Sequence, residues 1–159
     1  MIEKRTKIAR NKSNSQDIIS SLSYISIPTV IFRKYPLAVL ESIVVYLKDE
    51  RNLNFSEIAV LLNRDQRNIW TVYSRVKKKL EKNSLKPESE NKILSSSHYL
   101  SIPTEIFRKY PLAVLESIVF YLKEEKNLSF SEIGILLDRD QRNIWTVYSR
   151  AQKKLNENR

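Results

Sequence analysis

Residues 55–80 read FSEIAVLLNRDQRNIWTVYSRVKKKL, and this stretch predicts two helices joined by a tight polar turn. Asn54 stands just before it as a helix-capping residue, and Glu57 is placed to bond back to the start of the first helix. Asn63 occupies the turn, where asparagine tolerates the left-handed backbone that a sharp reversal requires. Asp65 is the expected cap of the second helix. Two helices joined in this way are typical of a helix-turn-helix unit.

The second of these helices has two chemically different faces. Apolar side chains recur along it at spacings of three and four, which predicts a face buried against the rest of the domain. The predicted buried set is Ile69, Val72, Tyr73, Val76 and Leu80. The opposite face is basic and hydrogen-bonding, and it carries Arg67, Thr71, Ser74 and Lys78, with Asn68, Trp70 and Arg75 on its flanks.

The same pattern occurs a second time, 75 positions further along the chain. Residues 24–83 and 99–158, called here the first and second repeat, differ at 13 of 60 aligned positions. The segment RDQRNIWTVYSR is identical in both. The second repeat has Ser129, Glu132, Gly134, Asp138 and Asp140 where the first has Asn54, Glu57, Ala59, Asn63 and Asp65. The repeat predicts an all-α fold of two tandem four-helix helix-turn-helix domains related by an internal sequence duplication.

The predicted domain boundaries follow from the repeat and from the polar segments around it. We expect a flexible basic N-terminal arm at 1–17, a first domain at 18–83, a linker at 84–92 and a second domain at 93–159. The arm is either an ordinary disordered terminus or a segment that follows a phosphate backbone or enters a minor groove. The linker allows several relative placements of the domains, so the orientation of any two DNA half-sites stays open at this point.

Each repeat is expected to contain two further helices before the helix-turn-helix unit. Pro28 and Pro103 suit the first turn of a short helix, and Pro36 is expected to open the longer helix that follows. Glu41 is assigned to the solvent side of that longer helix. Trp70, like its counterpart 75 positions later, is assigned to packing against a neighbouring helix, the alternative being contact with a DNA sugar or base.

The composition is that of a basic protein without the residues of common catalytic or metal sites. The chain has 28 Lys and Arg against 18 Asp and Glu, a formal net charge of +10 that attracts nucleic acid or an anionic membrane surface, or serves solubility alone. There is no Cys and one His, His98, so disulfides and thiolate metal sites are excluded. We expect no enzymatic activity, cofactor or metal. The absence of Cys agrees with a reducing cytoplasm, and the apolar segments are too short for a membrane span, so we expect a cytoplasmic, nucleoid location and no membrane partner.

Long polar side chains occupy the first turns of the second helix, where helix-turn-helix proteins meet base edges in the major groove. Arginine can make paired bonds to guanine, and glutamine or asparagine to adenine. The predicted base contacts are Gln66, Arg67, Asn68 and Thr71, with Gln141, Arg142, Asn143 and Thr146 in the second repeat. The predicted phosphate contacts are Ser56, Arg64, Ser74, Arg75, Lys78 and Lys79, with Ser131, Arg139, Ser149, Arg150, Lys153 and Lys154.

A resemblance to a known family is carried by Ser56–Leu80 and Ser131–Leu155, through the run Glu-Ile-Ala/Gly-x-Leu-Leu-Asn/Asp-Arg-Asp and the later Ile-Trp, Tyr-Ser-Arg and Lys-Lys-Leu. These segments resemble region 4 of bacterial sigma factors and related four-helix DNA-binding domains. In that family the last helix reads promoter DNA. The resemblance implies this role for Gln66, Arg67, Thr71 and Arg75, and for Gln141, Arg142, Thr146 and Arg150. Nothing in the chain resembles the sigma segments that melt DNA or grip the polymerase core, so promoter initiation is not implied.

We therefore expect a double-stranded DNA-binding protein whose two helix-turn-helix heads engage successive major grooves. Its role is that of a transcription regulator or of a nucleoid or architectural protein. The alternative is a protein–protein adaptor that docks on the transcription machinery, with RNA polymerase or a second copy of itself as partner and only weak nucleic-acid binding. RNA binding fits less well, because the sequence shows no exposed aromatic platform of the kind that single-strand readers use.

Overall fold

The computed structural model describes residues 15–22, 24–83 and 100–158. Helix α1 spans Ser15–Leu22 and already includes the last three residues of the predicted N-terminal arm. The rest of that arm, the predicted linker at 84–92 and His98 lie outside the described residues.

The two repeats form matching series of elements, and each element of the second begins 75 positions after its counterpart. The first repeat consists of β1 (Ser26–Pro28), α2 (Ile31–Lys34), α3 (Val39–Val45) with a π-helical turn at Tyr46–Glu50, α4 (Phe55–Leu62) and α5 (Gln66–Asn83). The second consists of β2 (Ser101–Pro103), α6 (Ile106–Lys109), α7 (Val114–Glu124), α8 (Phe130–Leu137) and α9 (Gln141–Glu157). The prediction of a mostly helical protein is confirmed, but β1 and β2 form a two-stranded sheet that it did not include.

The placement of Pro28 and Pro103 in the first turn of a helix is wrong. Each proline ends a strand, and β1 and β2 pair in antiparallel fashion with Ile27 opposite Ile102. Backbone hydrogen bonds bracket this pair, from Thr29 N–H to the Leu100 carbonyl (2.8 Å) and from Thr104 N–H to the Ile25 carbonyl (3.4 Å). Bonded pairs alternate along an antiparallel ladder, so both prolines fall where an N–H would face away from the partner strand.

The start of α3 also differs from the prediction. Pro36 lies before the helix, which has Ala38 as its N-cap residue and begins at Val39. Glu41 was assigned to solvent, yet it is only 7% exposed. Its carboxylate accepts the Ala38 N–H over 3.0 Å and a hydrogen bond from Lys79 Nζ over 2.5 Å. The carboxylate is buried because these donors replace its water, which periodicity along α3 alone does not reveal.

The core is one hydrophobic cluster that draws on both repeats. On α5 the predicted buried face is confirmed, since Ile69, Val72 and Val76 are buried and Tyr73 and Leu80 pack against them in part. The repeats also contact each other directly: α2 packs on α8, α6 on α4, and α3 on α7. The predicted domain boundaries stay a prediction, but the two repeats meet through a sheet and apolar side chains.

Within the part of the chain that the structure describes, no helix is long and apolar enough to span a membrane.

Candidate nucleic-acid interface

The first unit, here meaning α4, its turn and α5, is held by the local bonds that the sequence predicts. The Asn54 side chain accepts the N–H of Glu57 over 2.9 Å, and the Glu57 carboxylate accepts the N–H of Asn54 over 2.8 Å. Asn63 ends α4 in the left-handed conformation, with φ of 51°. Asp65 then accepts the N–H of Arg67 over 2.8 Å at the start of α5. The predicted caps and turn are confirmed.

The second unit, meaning α8, its turn and α9, repeats this geometry with different side chains. Ser129 and Glu132 form the reciprocal capping pair, and Asp138 has φ of 52°. The turn packs so closely on α8 that a Cβ added to Gly134 would lie 2.6 Å from the carbonyl oxygen of Arg139. The equivalent Ala59 is buried at 6% exposure. A small residue is needed at this position because the chain reverses directly across it.

The predicted base-contacting residues lie together on the exposed face at the start of α5 and α9. Gln66, Arg67 and Asn68 are exposed, as are Gln141, Arg142 and Asn143. Thr71 and Thr146 are exposed too, but their hydroxyls donate back to the carbonyls of Arg67 and Arg142, over 2.8 and 2.9 Å. Each threonine therefore offers an outside partner its methyl group and an acceptor lone pair rather than a donor.

The assignment of the two tryptophans to helix packing is wrong. Trp70 and Trp145 are each 57% exposed. The neighbouring helix is covered instead by Tyr73, whose ring meets that of Phe55 edge to face at 5.4 Å. Trp70 directly follows the buried Ile69, so it turns about 100° away from the apolar stripe. Each tryptophan borders a shallow depression, lined by Phe55, Asp65, Gln66, Arg67, Trp70 and Thr71 or by the equivalent residues of the second repeat.

The predicted phosphate-contacting residues divide into accessible side chains and side chains that the fold uses. Those exposed are Ser56, Arg75 and Lys78, with Ser131, Arg150 and Lys153; those half-buried are Arg64 and Ser74, with Arg139 and Ser149. Lys79 binds Glu41 at 2.5 Å, and Lys154 binds both carboxylate oxygens of Glu116 at 2.8 Å. These two lysines tie α5 to α3 and α9 to α7. Arg139 donates to the carbonyl of Leu37 in the other repeat over 3.1 Å.

The carboxylates beneath these lysines are electrostatically tuned. Burial acts to raise the pKa of Glu41, but the hydrogen bonds from Lys79 and from the Ala38 N–H outweigh it and hold the pKa below its ordinary value. The pKa of Glu116 is lowered in the same way, with Lys154 and the Ala113 N–H as the donors. Both glutamates are thus charged partners that hold the α5 and α9 backbones in place.

The position of Lys77 is taken by Gln152 in the second repeat, and each of the two side chains bonds to a neighbouring side chain. Lys77 binds Asp49 at 2.7 Å, and Tyr73 donates to the same carboxylate over 2.7 Å. Gln152 instead donates to the hydroxyl of Tyr148, which in turn bonds to Glu124. Burial and the bond to Glu124 raise the pKa of Tyr148 to about 12, so the hydroxyl stays protonated. Lys77 is paired with Asp49, whereas Gln152 is neutral and the carboxylate of Glu124 remains, so the second unit has one positive charge fewer at this place.

An arginine from the other repeat lies beside each unit, and the sequence did not predict it. Arg108, in the second repeat, lines a depression against the first unit that also contains Ser56, Asn63 and Arg64. Its counterpart Arg33, 75 positions earlier, lines the equivalent depression against the second unit. The Nη1 atom of Arg108 is buried and has no hydrogen-bond partner among the described residues. Inspection of one repeat at a time gives no signal for this contact, because it exists only between repeats.

Comparison of the chain with protein-family models, with curated proteins and with solved structures found no match. The site is therefore interpreted from its own chemistry. It consists of two identical exposed sets of arginine, glutamine and asparagine, each at the start of a long helix and each flanked by exposed basic side chains. Among the described residues, no cluster of His, Asp or Glu is arranged to hold a metal ion.

Proposed function

We propose that this chain binds double-stranded DNA through two helix-turn-helix units, each of which places the start of its second helix in a major groove. The observation that carries the proposal is the exposed trio Gln66, Arg67 and Asn68 in the first turn of α5, repeated without change in the first turn of α9. We further propose that the two repeats are an internal duplication, so that one chain presents the same reading surface twice.

The chemistry of the exposed face suits base recognition. Arg67 has a planar fork of donors that matches the O6 and N7 acceptors of guanine, while Gln66 and Asn68 can pair with the edge of adenine. Arg75 and Lys78 lie about two and three turns further along α5, where helices that enter a major groove meet the backbone phosphates. The net charge of +10 favours a polyanionic partner. Two units on one duplex would contact grooves about 34 Å apart, or a multiple of that.

The biological role that we propose is transcription regulation or organisation of the nucleoid, in the cytoplasm of the cell that makes the protein. The two roles differ in how sharply the protein selects its sites. A regulator gains most of its specificity from the bidentate base contacts, each of which discriminates by about 1–3 kcal/mol. An architectural protein relies on the phosphates and on the shape of the duplex.

The proposal is tested by incubating the purified chain with sheared genomic DNA at near-physiological salt and sequencing the DNA that it retains. Sharp peaks with a two-part motif identify a regulator, and broad enrichment identifies an architectural protein. The variant Arg67→Ala/Arg142→Ala should lose the motif. A matched control is Lys34→Ala/Lys109→Ala, which removes the same charge from lysines already paired with Glu50 and Glu125. Retention of no DNA by the wild-type chain overturns the proposal.

The second candidate function is a protein–protein adaptor that docks on the transcription machinery. It is favoured by Trp70 and Trp145, because exposed tryptophan beside arginine is the combination enriched at the centres of protein interfaces. In this case DNA affinity would be weak and entirely lost at moderate salt. To distinguish the two functions, the chain is immobilised and then incubated with cell extract that has been treated with nuclease. Capture of RNA polymerase that depends on both tryptophans, without specific DNA binding, would favour the adaptor.

A further inference from the structure

The contacts between the two repeats are reciprocal. Along the sheet, Ser26 lies opposite Pro103, Ile27 opposite Ile102, and Pro28 opposite Ser101. Because Ser101 and Pro103 are the counterparts of Ser26 and Pro28, every pair is matched by the same pair with the repeats exchanged. The flanking bonds behave alike, since Thr29 N–H reaches the Leu100 carbonyl and Thr104 N–H reaches the Ile25 carbonyl. Ile27 and Ile102 are themselves counterparts, so this central pair is unchanged when the two repeats are exchanged.

The helix contacts between the two repeats are reciprocal in the same way. Helix α2 of the first repeat packs on α8, and its counterpart α6 packs on α4, the counterpart of α8. Helices α3 and α7 are counterparts and pack on each other. Arg33 lies against the second unit and Arg108 against the first, next to equivalent residues of each. A head-to-tail arrangement would bring a different surface of each repeat to the contact, so this pattern belongs to a two-fold relation.

We infer that the chain is a two-fold pseudo-dimer, and that the DNA it takes is an inverted repeat of two like half-sites. The axis passes between Ile27 and Ile102, and a half-turn about it carries α4 and α5 onto α8 and α9. This inference rests on the proposed function, because it concerns the arrangement of the bases that the two units contact. If both units make the same contacts on one duplex, the half-sites are related by the same half-turn, which in DNA is an inverted repeat.

The two-fold relation is fixed by packing rather than left to the connecting segment. Ile27 and Ile102 are each fully buried at the centre of the contact, and Thr104 is fully buried beside them. The Thr104 hydroxyl donates to the Ile25 carbonyl over 3.0 Å, and Thr29 Oγ1 accepts the N–H of Leu100 over 3.2 Å. A contact built from main-chain bonds and close-packed side chains does not slide to a translated arrangement without losing them. Direct repeats therefore offer contacts to one unit at a time.

The test begins by selecting bound molecules from a library of random duplexes with the full chain, and aligning them to obtain the half-site. Synthetic duplexes are then made with two copies of that half-site in each of the two inverted orders and in direct order, over the same set of spacings. Affinity is measured for the wild-type chain and for Gln141→Ala/Arg142→Ala, which retains one complete reading surface. Its folding is checked by thermal unfolding.

The expected result is that one inverted order is bound about 100-fold more tightly than the direct order, since simultaneous engagement of two sites multiplies affinity. The Gln141→Ala/Arg142→Ala variant should bind all the duplexes equally, because one unit has no preference of order. If the wild-type chain bound the direct order as tightly as either inverted order, the inferred two-fold arrangement on DNA would be overturned. The proposal that the chain binds DNA would still stand. Failure to select any duplex would overturn the proposed function as well.

Discussion

Some side chains of α5 and α9 are bonded within the fold, whereas others are exposed and available to a partner. Arg67 and Asn68 are free on the surface, whereas Lys79, on the same helix, is bound to a buried carboxylate. Trp70 contributes little to the core, with 57% of its surface exposed. The same large apolar side chain is exposed beside the same arginine in the second repeat. We interpret the pair as contact residues, because burial would otherwise be the more favourable place for an indole.

The first prediction concerns these tryptophans. Trp70→Ala/Trp145→Ala should change the free energy of unfolding by no more than about 0.5 kcal/mol, as expected for exposed positions. DNA affinity should fall about tenfold or more, because truncating an aromatic residue within a binding surface commonly costs over about 1 kcal/mol. Thermal unfolding and equilibrium binding measure the two effects. Tyr24→Ala is the matched control, since Tyr24 is 73% exposed but lies outside both units. Equal affinity of the tryptophan variant and the wild type would contradict the prediction.

At the scale of elements, the caps and the turns could be predicted from sequence, and the bonds between helices could not. Asn54 and Glu57 are three residues apart, and local partners of this kind are visible in any window of the chain. Glu41 and Lys79 are 38 residues apart, and their pairing depends on how α3 packs against α5. The same limit applies to Trp70, because whether its side chain or that of Tyr73 contacts Phe55 depends on how α4 packs against α5, and the structure gives this contact to Tyr73.

The second prediction uses the tie between α7 and α9. Glu116→Gln weakens the bonds from Lys154 and from the Ala113 N–H, and should lower the free energy of unfolding at neutral pH by about 1–3 kcal/mol. The folded state lowers the pKa of Glu116 below its ordinary value of 4.5. Its contribution is therefore present above pH 4.5 and is lost as the pH falls through the lowered pKa. Denaturant unfolding at a series of pH values measures this.

In acid, the free energies of unfolding of the wild type and of Glu116→Gln are expected to become similar. The stability gap between wild type and Glu116→Gln should be largest at neutral pH and shrink below about pH 4.5. Glu125→Gln is a suitable control, because this carboxylate is in an exposed pair with Lys109 and should have only a small effect. A gap that stays constant down to pH 2 would show that the buried charge has no part in holding α9.

The third prediction concerns the arginines that reach across the repeats. Arg33→Ala/Arg108→Ala should weaken DNA binding and lower the dependence of log affinity on log salt by about 1–2, if each guanidinium neutralises a phosphate beside the opposite unit. The selected sequence should stay the same, since no base contact is removed. Lys34→Ala/Lys109→Ala carries the same charge change one residue away and should alter the slope less. An unchanged slope in the arginine variant would remove these residues from the interface.

For the whole molecule, the repeat within the sequence predicted the helices of each half, but neither the short strand nor the way the halves combine. Three-residue strands that end in proline give no strand signal, and the pairing of Ile27 with Ile102 joins residues 75 apart. Each repeat alone is also small, so little of its apolar surface can be covered by its own residues. Because the contact buries Ile27 and Ile102 completely, we expect each half to depend on the other for its stability.

The fourth prediction follows from that shared core. The chain should unfold in a single calorimetric transition whose calorimetric and van't Hoff enthalpies agree, whereas independent domains would give two transitions or unequal enthalpies.

Ile102→Ala should lower the free energy of unfolding by about 2–4 kcal/mol and move the whole transition, and Ile102→Val should move it less. Hydrogen exchange should accelerate in α5 as well as in α9, although the substitution lies in the second repeat. Ile135→Ala is the control, because Ile135 is 53% exposed in the same repeat. If α5 kept its protection while α9 lost it, the two repeats would be separate folding units, and the two-fold contact would be too weak to impose an inverted order on DNA.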